Sequence, residues 1–600
     1  MAEERLRKRS EVPEEYTWKL EDLFESDEAW SAEYEELGKV PAMAASFMGR
    51  LNDSSVLLEF MKLQDEINMR LEKLFVYSSC RSDEDTGNNF YQDMSGKARG
   101  VAVAIMGAAS FSGPEIMAIP EEDLERFYKE QPELETYRRV IYGIRRMKAH
   151  MLSAESERVL ALAGEVAASP ENIGSVLRNL EIRFPDVVDK DGNSRQLTED
   201  NITHLLEDPD VDFRRKAFKT YYEKFSELKN TFATTLDSQY KQLIFFQRAR
   251  NYANTLEAAL DANEVPTEVY TNLIQAVHDN LDKMYKYVGL RKKIMGLDEL
   301  HMYDVYAPIV QDAAKVIDFE EAKQTVLKAL AVLGDDYTAL LQEGFDNRWI
   351  DIYPNEGKRG GAYSTGSGQP HPFMLLNHKD NLDSMFTLAH EMGHSIHSWY
   401  STKNQPYCTS NYVIFVAEVA STCNEILLMR YLLEHTDDKV QKAYLINHFL
   451  DSFKGTLYRQ TMLAEFELMM GQMAESGQAL TADVLCEKYR DLNALYFGPE
   501  MISDEEIGLE WARIPHFFYN YYMFQYATGY SAAAAIASRI LKEGAPAVAD
   551  YKKFLSSGGS ADPISLLKIA GVDMSTPEPV NTALELFGQL VDEFEEIMTE

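Results

Sequence analysis

Helical periodicity is the feature of this sequence that most restricts the fold it can adopt. Apolar residues recur at spacings of three and four, with charged residues between them, over long windows such as 57–74, 122–152 and 212–249. That spacing places apolar side chains on one face of an α-helix, where they can pack against a neighbouring element. We therefore predict a mainly α-helical fold.

Strand patterns are few and fall in two places. Residues 184–197 read as two short strands around Asp191 and Gly192, a pair typical of a hairpin turn. Short apolar runs at 349–353 and 372–376 flank a glycine-rich segment and lie directly before a strong helical pattern. We expect a hairpin in the first region and a small β-sheet next to the following helix in the second.

The length of the chain indicates more than one lobe. Six hundred residues exceed what a single hydrophobic core usually supports. The helical pattern resumes after residue 206, with Asp208 or Asp210 as a candidate cap. A boundary near residue 200 gives an N-terminal helical lobe, residues 1–200, and a C-terminal lobe, residues 201–600, which contains the motifs described below.

Charge and cysteine content restrict the partners and the compartment. The net charge is −37, from 97 acidic and 60 basic residues, and such a surface repels nucleic acid and anionic membranes. The first ten residues are charged with no apolar run behind them, and no segment reads as long enough for a membrane span. Four cysteines without metal-type spacing indicate reduced thiols. We expect a cytoplasmic protein with neither nucleic acid nor membrane as a partner; the oligomeric state stays open, with a monomer plausible.

Residues 380–400 contain the pattern that carries the chemistry. His390 and His394 are four residues apart, so they project from one helix face and can share a zinc ion. Glu391 lies one position round and can act as general base on a water at that zinc without being a ligand. A chance His-Glu-x-x-His in a chain of this length is expected only about 0.02 times, so we favour zinc over a solvated helix with unrelated histidines. Asp380 is the candidate helix cap.

A third protein ligand is required, and two residues compete for the position. His397 shares the face of His390, but along a straight helix their Cα atoms are about 10 Å apart, which suits a tetrahedral site poorly. Glu418 lies in an otherwise apolar helix, where a carboxylate is costly unless it is paired or bound to a metal. We predict Glu418 as the third ligand, with His397 beside the ligands or the substrate and Glu425 orienting a ligand histidine. The alternative for both glutamates is an exposed helix carboxylate.

A tyrosine-rich segment, residues 515–530, is the second candidate for catalysis. With about 100° per residue of helix, one third of the wheel carries a histidine and four tyrosines. These residues are His516, Tyr519, Tyr522, Tyr526 and Tyr530. Such a face can donate hydrogen bonds to the oxyanion that forms in peptide hydrolysis. The alternative is an aromatic core helix whose hydroxyl groups have found partners.

Taken together, these motifs resemble the oligoendopeptidase F family of thimet-oligopeptidase-like zinc metallopeptidases. The resemblance rests on residues 390–397, 415–422 and His516 with its tyrosines, and segments 16–24 and 357–364 also fit. It covers nearly the whole chain. It implies two helical lobes that enclose a deep channel with one zinc ion at the floor, which admits oligopeptides and excludes folded proteins by size.

The resemblance also implies roles for individual residues. His390, His394 and Glu418 would be the zinc ligands, and Glu391 the base. His516 and the tyrosines would contact the substrate carbonyl or oxyanion, and which of Tyr519, Tyr522 and Tyr526 provides the main hydroxyl stays open. The substrate-binding residues would be Gly360, Gly361, Ala362, Tyr363 and Tyr530, of which the glycine-rich segment would pair with extended peptide backbone.

The sequence thus predicts a zinc-dependent endopeptidase that hydrolyses internal bonds of short oligopeptides. A carboxypeptidase or dipeptidyl carboxypeptidase would share this chemistry but needs a cation for the terminal carboxylate, and Arg359 could serve. A non-catalytic helical peptide-binding protein that contains zinc is the alternative from another class. The intact Glu391 argues against that alternative.

Overall fold

Helices form most of the chain in the computed structural model, which describes residues 5–310, 315–366 and 370–599. The prediction of a mainly α-helical fold with small sheets is confirmed. The expectation about the first ten residues falls partly on residues 1–4, which lie outside the described residues.

The described residues form 26 α-helices, joined by short 3-10 and π-helical turns. In chain order they are α1 (Asp27–Leu37), α2 (Val40–Ala45), α3 (Ser54–Glu84), α4 (Asn89–Ala109), α5 (Ser112–Ala118), α6 (Glu121–Glu130), α7 (Arg138–Arg146), α8 (Ala154–Ala167), α9 (Ser169–Val176), α10 (Ile202–Leu205), α11 (Val211–Ala249), α12 (Thr255–Asp261), α13 (Thr267–His278), α14 (Leu281–Met295), α15 (Phe319–Ala329), α16 (Asp335–Asp346), α17 (Leu382–Asn404), α18 (Tyr407–Ser410), α19 (Ile414–Glu434), α20 (Lys439–Phe453), α21 (Arg459–Glu475), α22 (Ala482–Phe497), α23 (Phe524–Glu543), α24 (Ala545–Leu555), α25 (Pro563–Ile569) and α26 (Glu578–Thr599).

Seven short strands form three small sheets in the described part of the chain. They are β1 (Val187–Val188), β2 (Ser194–Arg195), β3 (Leu300–His301), β4 (Ile350–Asp351), β5 (Tyr363–Thr365), β6 (Phe373–Leu375) and β7 (Met501–Ile502). β1 and β2 form an antiparallel hairpin, and Gly192 has the positive φ of 87° that its turn requires. The predicted hairpin is confirmed.

The small sheet predicted directly before α17 is also confirmed. Its strand order is β4-β6-β5, with β6 parallel to β4 and antiparallel to β5. Phe373 and Leu375 of β6 are fully buried and pack in one core with Trp18 and Trp30. The hydroxyl groups of Ser364 in β5 and Ser395 in α17 are 2.9 Å apart, so the sheet lies directly beside α17.

The chain divides into two compact units, each made of three separate segments. The first comprises Met1–Lys148, Ala314–Leu428 and Ile536–Gly571. The second comprises Ala149–Ala313, Met429–Ala535 and Val572–Glu600. The predicted boundary at residue 200 falls inside the second unit. No single boundary divides the two units, because the chain enters and leaves each of them more than once. The predicted substrate channel stays a prediction.

Helix boundaries follow local chemistry, and one prediction about them was wrong. The helical window over 122–152 is divided, because α6 ends at Glu130 and Pro132 opens a 3-10 turn, where proline has no N–H to continue the α-helix. Asp380 does not cap α17; Asn381 does, and its side chain accepts a hydrogen bond from the Ser384 N–H at 2.9 Å. Asp210 caps α11, one of the two candidates.

One apolar stretch corrects the expectation about membrane spans. By length and composition alone, Asn89–Ala118 could cross a membrane. In this fold it forms α4 and α5, and Ala98, Val101 and Ile105 of α4 pack in the core of the first unit. The core helix of a globular protein passes the same test of length and composition.

Candidate metal centre and active site

Two helices, α17 and α19, provide the candidate metal ligands, and the part of α19 up to Leu428 lies with α17 in the first unit. Their backbones touch at Gly393, where a Cβ atom would lie 2.5 Å from Ser421 Cα and 2.8 Å from the Ala420 oxygen. Only glycine permits that approach, because every other residue carries a Cβ atom. The close contact brings Glu418 of α19 to the histidine face of α17.

Three side-chain atoms converge where the helices meet. His390 Nε2 lies 3.2 Å from His394 Nε2 and 3.3 Å from Glu418 Oε2, and the third side of the triangle, His394 Nε2 to Glu418 Oε2, is 3.5 Å. Zinc bonds of about 2.0–2.1 Å place the corners of a tetrahedron about 3.3–3.4 Å apart. The three atoms therefore fit three corners of a tetrahedral metal site. All three side chains are partly exposed, which leaves the fourth corner open.

A second carboxylate contacts one of these histidines. His390 Nδ1 lies 2.5 Å from Glu425 Oε1, and the other ring nitrogen, Nε2, is the atom that lies near His394 and Glu418. That Glu425 orients a metal ligand stays a prediction. Burial disfavours the imidazolium form of His390, but Glu418 and Glu425 outweigh it and raise the pKa of the ring. The two carboxylates thus favour positive charge at this point, which a divalent cation would provide.

The electrostatics of Glu418 suit a metal ligand. Burial favours its neutral form, but the hydrogen bonds to His390 and His394 outweigh burial and hold the pKa of Glu418 below its ordinary value. The hydroxyl group of Ser421 also donates to Glu418 Oε2 at 3.3 Å. Glu418 is therefore an anion at neutral pH, and the anion is the form that binds a metal.

Glu391 lies on α17 between the two histidines but is not one of the three converging residues. Its side chain is buried, and burial raises its pKa, while the neighbouring His390 and His394 act in the opposite direction. A carboxylate with raised basicity beside a metal site is suited to accept a proton from water.

The contact at Gly393 supports a direct test of this arrangement. In Gly393→Ala the new methyl group would overlap the α19 backbone, so we expect a loss of stability of about 1–3 kcal/mol and a lower metal affinity as Glu418 is displaced. Thermal unfolding and metal content measure the two effects. Gly100→Ala in α4 is the matched control, because its Cβ meets no atom within 4 Å and alanine favours a helix. Equal behaviour of the two variants would contradict the packing argument.

Asn424 of α19 is a residue that the sequence analysis missed. It is fully buried, its amide donates to the Ala389 oxygen on α17 at 3.1 Å, and it accepts from the Tyr337 hydroxyl on α16 at 2.9 Å. These bonds hold α17 and α19 in register next to the ligands. The sequence signal that could have identified Asn424 is an amide side chain in an otherwise apolar helix. A buried amide needs hydrogen-bond partners, so such a residue indicates a contact with a neighbouring element.

The structure does not bring His397 into the group of converging atoms. Its ring stacks on Tyr412 with centroids 3.7 Å apart, and the residue is buried. Burial lowers the pKa of His397 to about 3, so the ring is neutral at physiological pH. Its predicted place beside the ligands or the substrate stays a prediction.

The predicted substrate segment lies at the edge of the sheet beside α17. β5 pairs with β6 on one side, and within the described residues no strand pairs with its other side. The glycines of the segment are exposed and the residues that follow are half-buried. The segment comprises Gly360, Gly361, Ala362 and Tyr363.

Asp83, at the end of α3, holds this segment in place. It accepts from the Tyr363 hydroxyl at 2.7 Å and from Arg359 Nη1 at 3.2 Å. From the other side, the Asn377 amide donates to the oxygens of Arg359 and Gly361 at 2.9 and 2.8 Å. The guanidinium of Arg359 is therefore already paired with a carboxylate of the protein.

The prediction of one aromatic helix over 515–530 was wrong. A 3-10 turn covers Pro515–Phe518, and α23 begins only at Phe524. Between them Asn520 and Tyr521 both have a φ of 60°. The buried Glu467 stabilises this turn, because its Oε1 accepts from the Tyr521 N–H at 3.0 Å. Burial raises the pKa of Glu467 to about 8, although backbone N–H groups oppose that shift.

Four of the five predicted aromatic residues nevertheless come together in the second unit. Ring centroids of His516 lie 5.5 Å from Tyr519 and 6.1 Å from both Tyr522 and Tyr526. Tyr530 is not part of this cluster; it is buried, and its ring packs 4.9 Å from that of Phe453. The irregular turn, rather than a helical face, assembles the cluster.

His516 is a neutral hydrogen-bonding group at physiological pH. Burial lowers its pKa, and the positive charges of Arg459 and Arg178 lower it further. A neutral imidazole can donate one hydrogen bond and accept another.

Comparison with known proteins places the chain in a family. The profile described as peptidase family M3 matches residues 204–586, and that described as oligopeptidase F matches residues 115–184. Oligopeptidase PepF of Bacillus subtilis is 47% identical over 603 residues, covering 100% of this chain and 90% of the relative.

Solved structures agree in fold. A crystal structure of a protein from Chlamydophila abortus has a TM-score of 0.92 and 33% identity, covering 99% of this chain and 100% of the other. The crystal structure of oligoendopeptidase-F from Enterococcus faecium has a TM-score of 0.75 and 36% identity, covering 96% of this chain and 99% of the other. The chain belongs to peptidase family M3, as a metalloendopeptidase of the oligoendopeptidase F group.

Proposed function

We propose that the chain is a zinc-dependent endopeptidase that hydrolyses internal peptide bonds of short oligopeptides. The observation that carries this proposal is the triangle of His390, His394 and Glu418, whose sides of 3.2, 3.3 and 3.5 Å fit a tetrahedral site with one open corner. Two histidines, one glutamate and an open position are the donor set of a catalytic zinc site. The relatives' names, oligopeptidase and oligoendopeptidase, support short peptides as the substrates.

The chemistry follows from the residues at this site. When bound, zinc acts as a Lewis acid that polarises the scissile carbonyl and lowers the pKa of water. Glu391 accepts a proton from the attacking water and passes it to the leaving amine, so the C–N bond breaks with a neutral amine as leaving group. The role of His516, Tyr519, Tyr522 and Tyr526 as hydrogen-bond donors to the oxyanion stays a prediction.

The edge strand β5 is the proposed site for the peptide backbone. An extended peptide can add to the open side of β5 through main-chain hydrogen bonds, a mode that depends little on side chains. Support comes from the contact of β5 with α17 through Ser364 and Ser395. Asp83 and Asn377 keep the strand and the preceding loop rigid, which lowers the entropic cost of binding.

Cleavage of an internal bond is favoured over removal of C-terminal residues. The cation considered for a terminal carboxylate, Arg359, is paired with Asp83. The test is mass spectrometry of the products from a pool of peptides with amidated C-termini, digested with and without a metal chelator. We expect internal cleavage that the chelator stops. An amidated pool that stays intact, while free acids are trimmed from the end, would instead identify a carboxypeptidase.

We also propose that the protein acts in the cytoplasm. All four cysteines are free in this structure, as is usual in a reducing compartment.

Glu425→Gln is expected to weaken metal binding by about 10–100-fold, the range typical of a partner that orients a ligand histidine. The Gln amide accepts a hydrogen bond from His390 more weakly than the carboxylate does, and the negative charge of Glu425 is lost. Competition with a coloured chelator measures the affinity. Glu434→Gln, at the exposed end of the same helix, is the control and should bind as the wild type does. An unchanged affinity in Glu425→Gln would contradict the orienting role.

A further inference from the structure

Arg178 in the second unit is a buried arginine whose charge has no ion-pair partner in the described part of the chain. The residue is only 7% exposed, its Nη1 atom has no hydrogen-bond partner, and no carboxylate among the described residues lies within 4.0 Å of it. Arg214 shows the usual arrangement: it is 1% exposed and pairs with Asp304 at 2.6 Å. Because a buried charge is unfavourable without a partner, Arg178 requires another explanation.

The surroundings of Arg178 connect it to the aromatic cluster. Its guanidinium lies 5.5 Å from the ring centroid of Phe518, in the turn that carries His516. Gly174 makes the contact possible, because a Cβ atom there would lie 3.0 Å from the Phe518 ring and 3.4 Å from Arg178 Nη1. The charge of Arg178 acts on both His516 and Tyr519.

The acidic groups near Arg178 in the described part of the chain do not form ion pairs with it. Arg459 and Arg513 share the carboxylate of Glu510, at 2.8 and 3.3 Å, so Glu510 is already occupied. Glu199 acts on both Arg178 and Arg513, but only from beyond ion-pair distance of Arg178. Glu171 also acts on Arg178 only from beyond that distance, so no carboxylate among the described residues forms an ion pair with its guanidinium.

The backbone at Arg178 is also unusual. The residue lies on a π-helical turn, Leu177–Glu181, which directly follows α9. π-Helical turns are rare, and those within α-helices occur frequently at functional sites. The planar guanidinium offers a fork of N–H donors that matches a carboxylate in geometry as well as charge.

We propose that Arg178 binds a carboxylate group of the peptide substrate, provided either by an acidic side chain or by the free C-terminus. The proposal rests on the peptidase function proposed above. It makes Arg178 a determinant of specificity: peptides that place a carboxylate at this position are cleaved with a higher kcat/KM than neutral peptides of the same length.

The test compares peptides that differ only in carboxylates. One series moves a single Glu along an otherwise neutral, C-terminally amidated peptide, with Gln at the same position as its match; a second pair has a free or amidated C-terminus. The quantity measured is the ratio of kcat/KM between the charged and neutral member of each pair. Because both members meet the same enzyme preparation, the ratio does not depend on how much of a variant folds.

We expect the wild type to prefer one charged peptide by about 10–100-fold, the effect of a charge-assisted hydrogen bond. Arg178→Gln should reduce that ratio to near 1, and Arg178→Lys, which keeps the charge without the fork, should retain part of it. Arg183→Gln, an exposed arginine on the following segment, is the control and should keep the wild-type ratio. The pair that shows the preference identifies the source of the carboxylate.

Two results would overturn the proposal. The first is a wild type with no preference in either series. The second is a preference that survives unchanged in Arg178→Gln. Absence of cleavage of every peptide by the wild type is a different result, since it would contradict the peptidase function itself and this proposal with it.

Discussion

Glu391→Gln is expected to lower kcat for a blocked peptide by about 10²–10⁴-fold, the contribution typical of a general base. The amide has nearly the same shape as the carboxylate but cannot accept the proton of the attacking water. Glu391 is not one of the three converging residues, so the variant should bind as much metal as the wild type does. Metal analysis and steady-state kinetics on the same preparation measure the two effects.

The two measurements together distinguish a catalytic role of Glu391 from a structural one. Loss of activity together with loss of metal would mean that Glu391 supports the site rather than acting as the base. Full activity with Gln at this position would remove Glu391 from the mechanism. The raised pKa that burial gives Glu391 makes its carboxylate a better proton acceptor than an exposed one.

Glu418→Ala is expected to abolish metal retention and turnover together. Removing one corner of the triangle leaves only two histidines as ligands. Loss of an orienting partner typically lowers metal affinity by about 10–100-fold, and we expect a larger loss here. His397→Gln is the matched comparison, because His397 was the rival third ligand and its ring stacks on Tyr412 instead. That variant should keep its metal. Metal retained in Glu418→Ala but lost in His397→Gln would reverse the assignment.

The parts of the site that depend on local sequence could be predicted. His390 and His394 share a face because helix geometry alone places residues four apart together. Glu418 could be singled out because a carboxylate in an apolar helix is costly unless it is paired or bound to a metal. The sequence could not show that Gly393 brings the two backbones into contact, since that contact joins helices through tertiary packing.

The aromatic segment shows where the sequence is insufficient. Between residues 516 and 523 the local signal of a break is weak: Asn520 tolerates a positive φ, but there is no glycine or proline, and the helical spacing of His516, Tyr519 and Tyr522 is good. The break depends on Glu467, which lies 54 residues before Tyr521 and accepts its N–H. A partner so distant in sequence leaves no local pattern, and the cluster was therefore predicted by an argument that does not hold.

Arg178 was missed for a related reason. It is one of 60 basic residues, and in the sequence it reads as an ordinary helix arginine. Its burial beside Phe518, and the lack of a carboxylate within ion-pair distance among the residues that the structure describes, are properties of the folded second unit.

Metal reconstitution tests the central claim most directly. The protein is stripped with a chelator, zinc is added back in steps, and cleavage of a blocked peptide is followed at each step. Convergence of His390, His394 and Glu418 on one ion predicts no cleavage by the stripped protein and full activity at one zinc per chain. Cleavage at the full rate by metal-free protein would contradict the account.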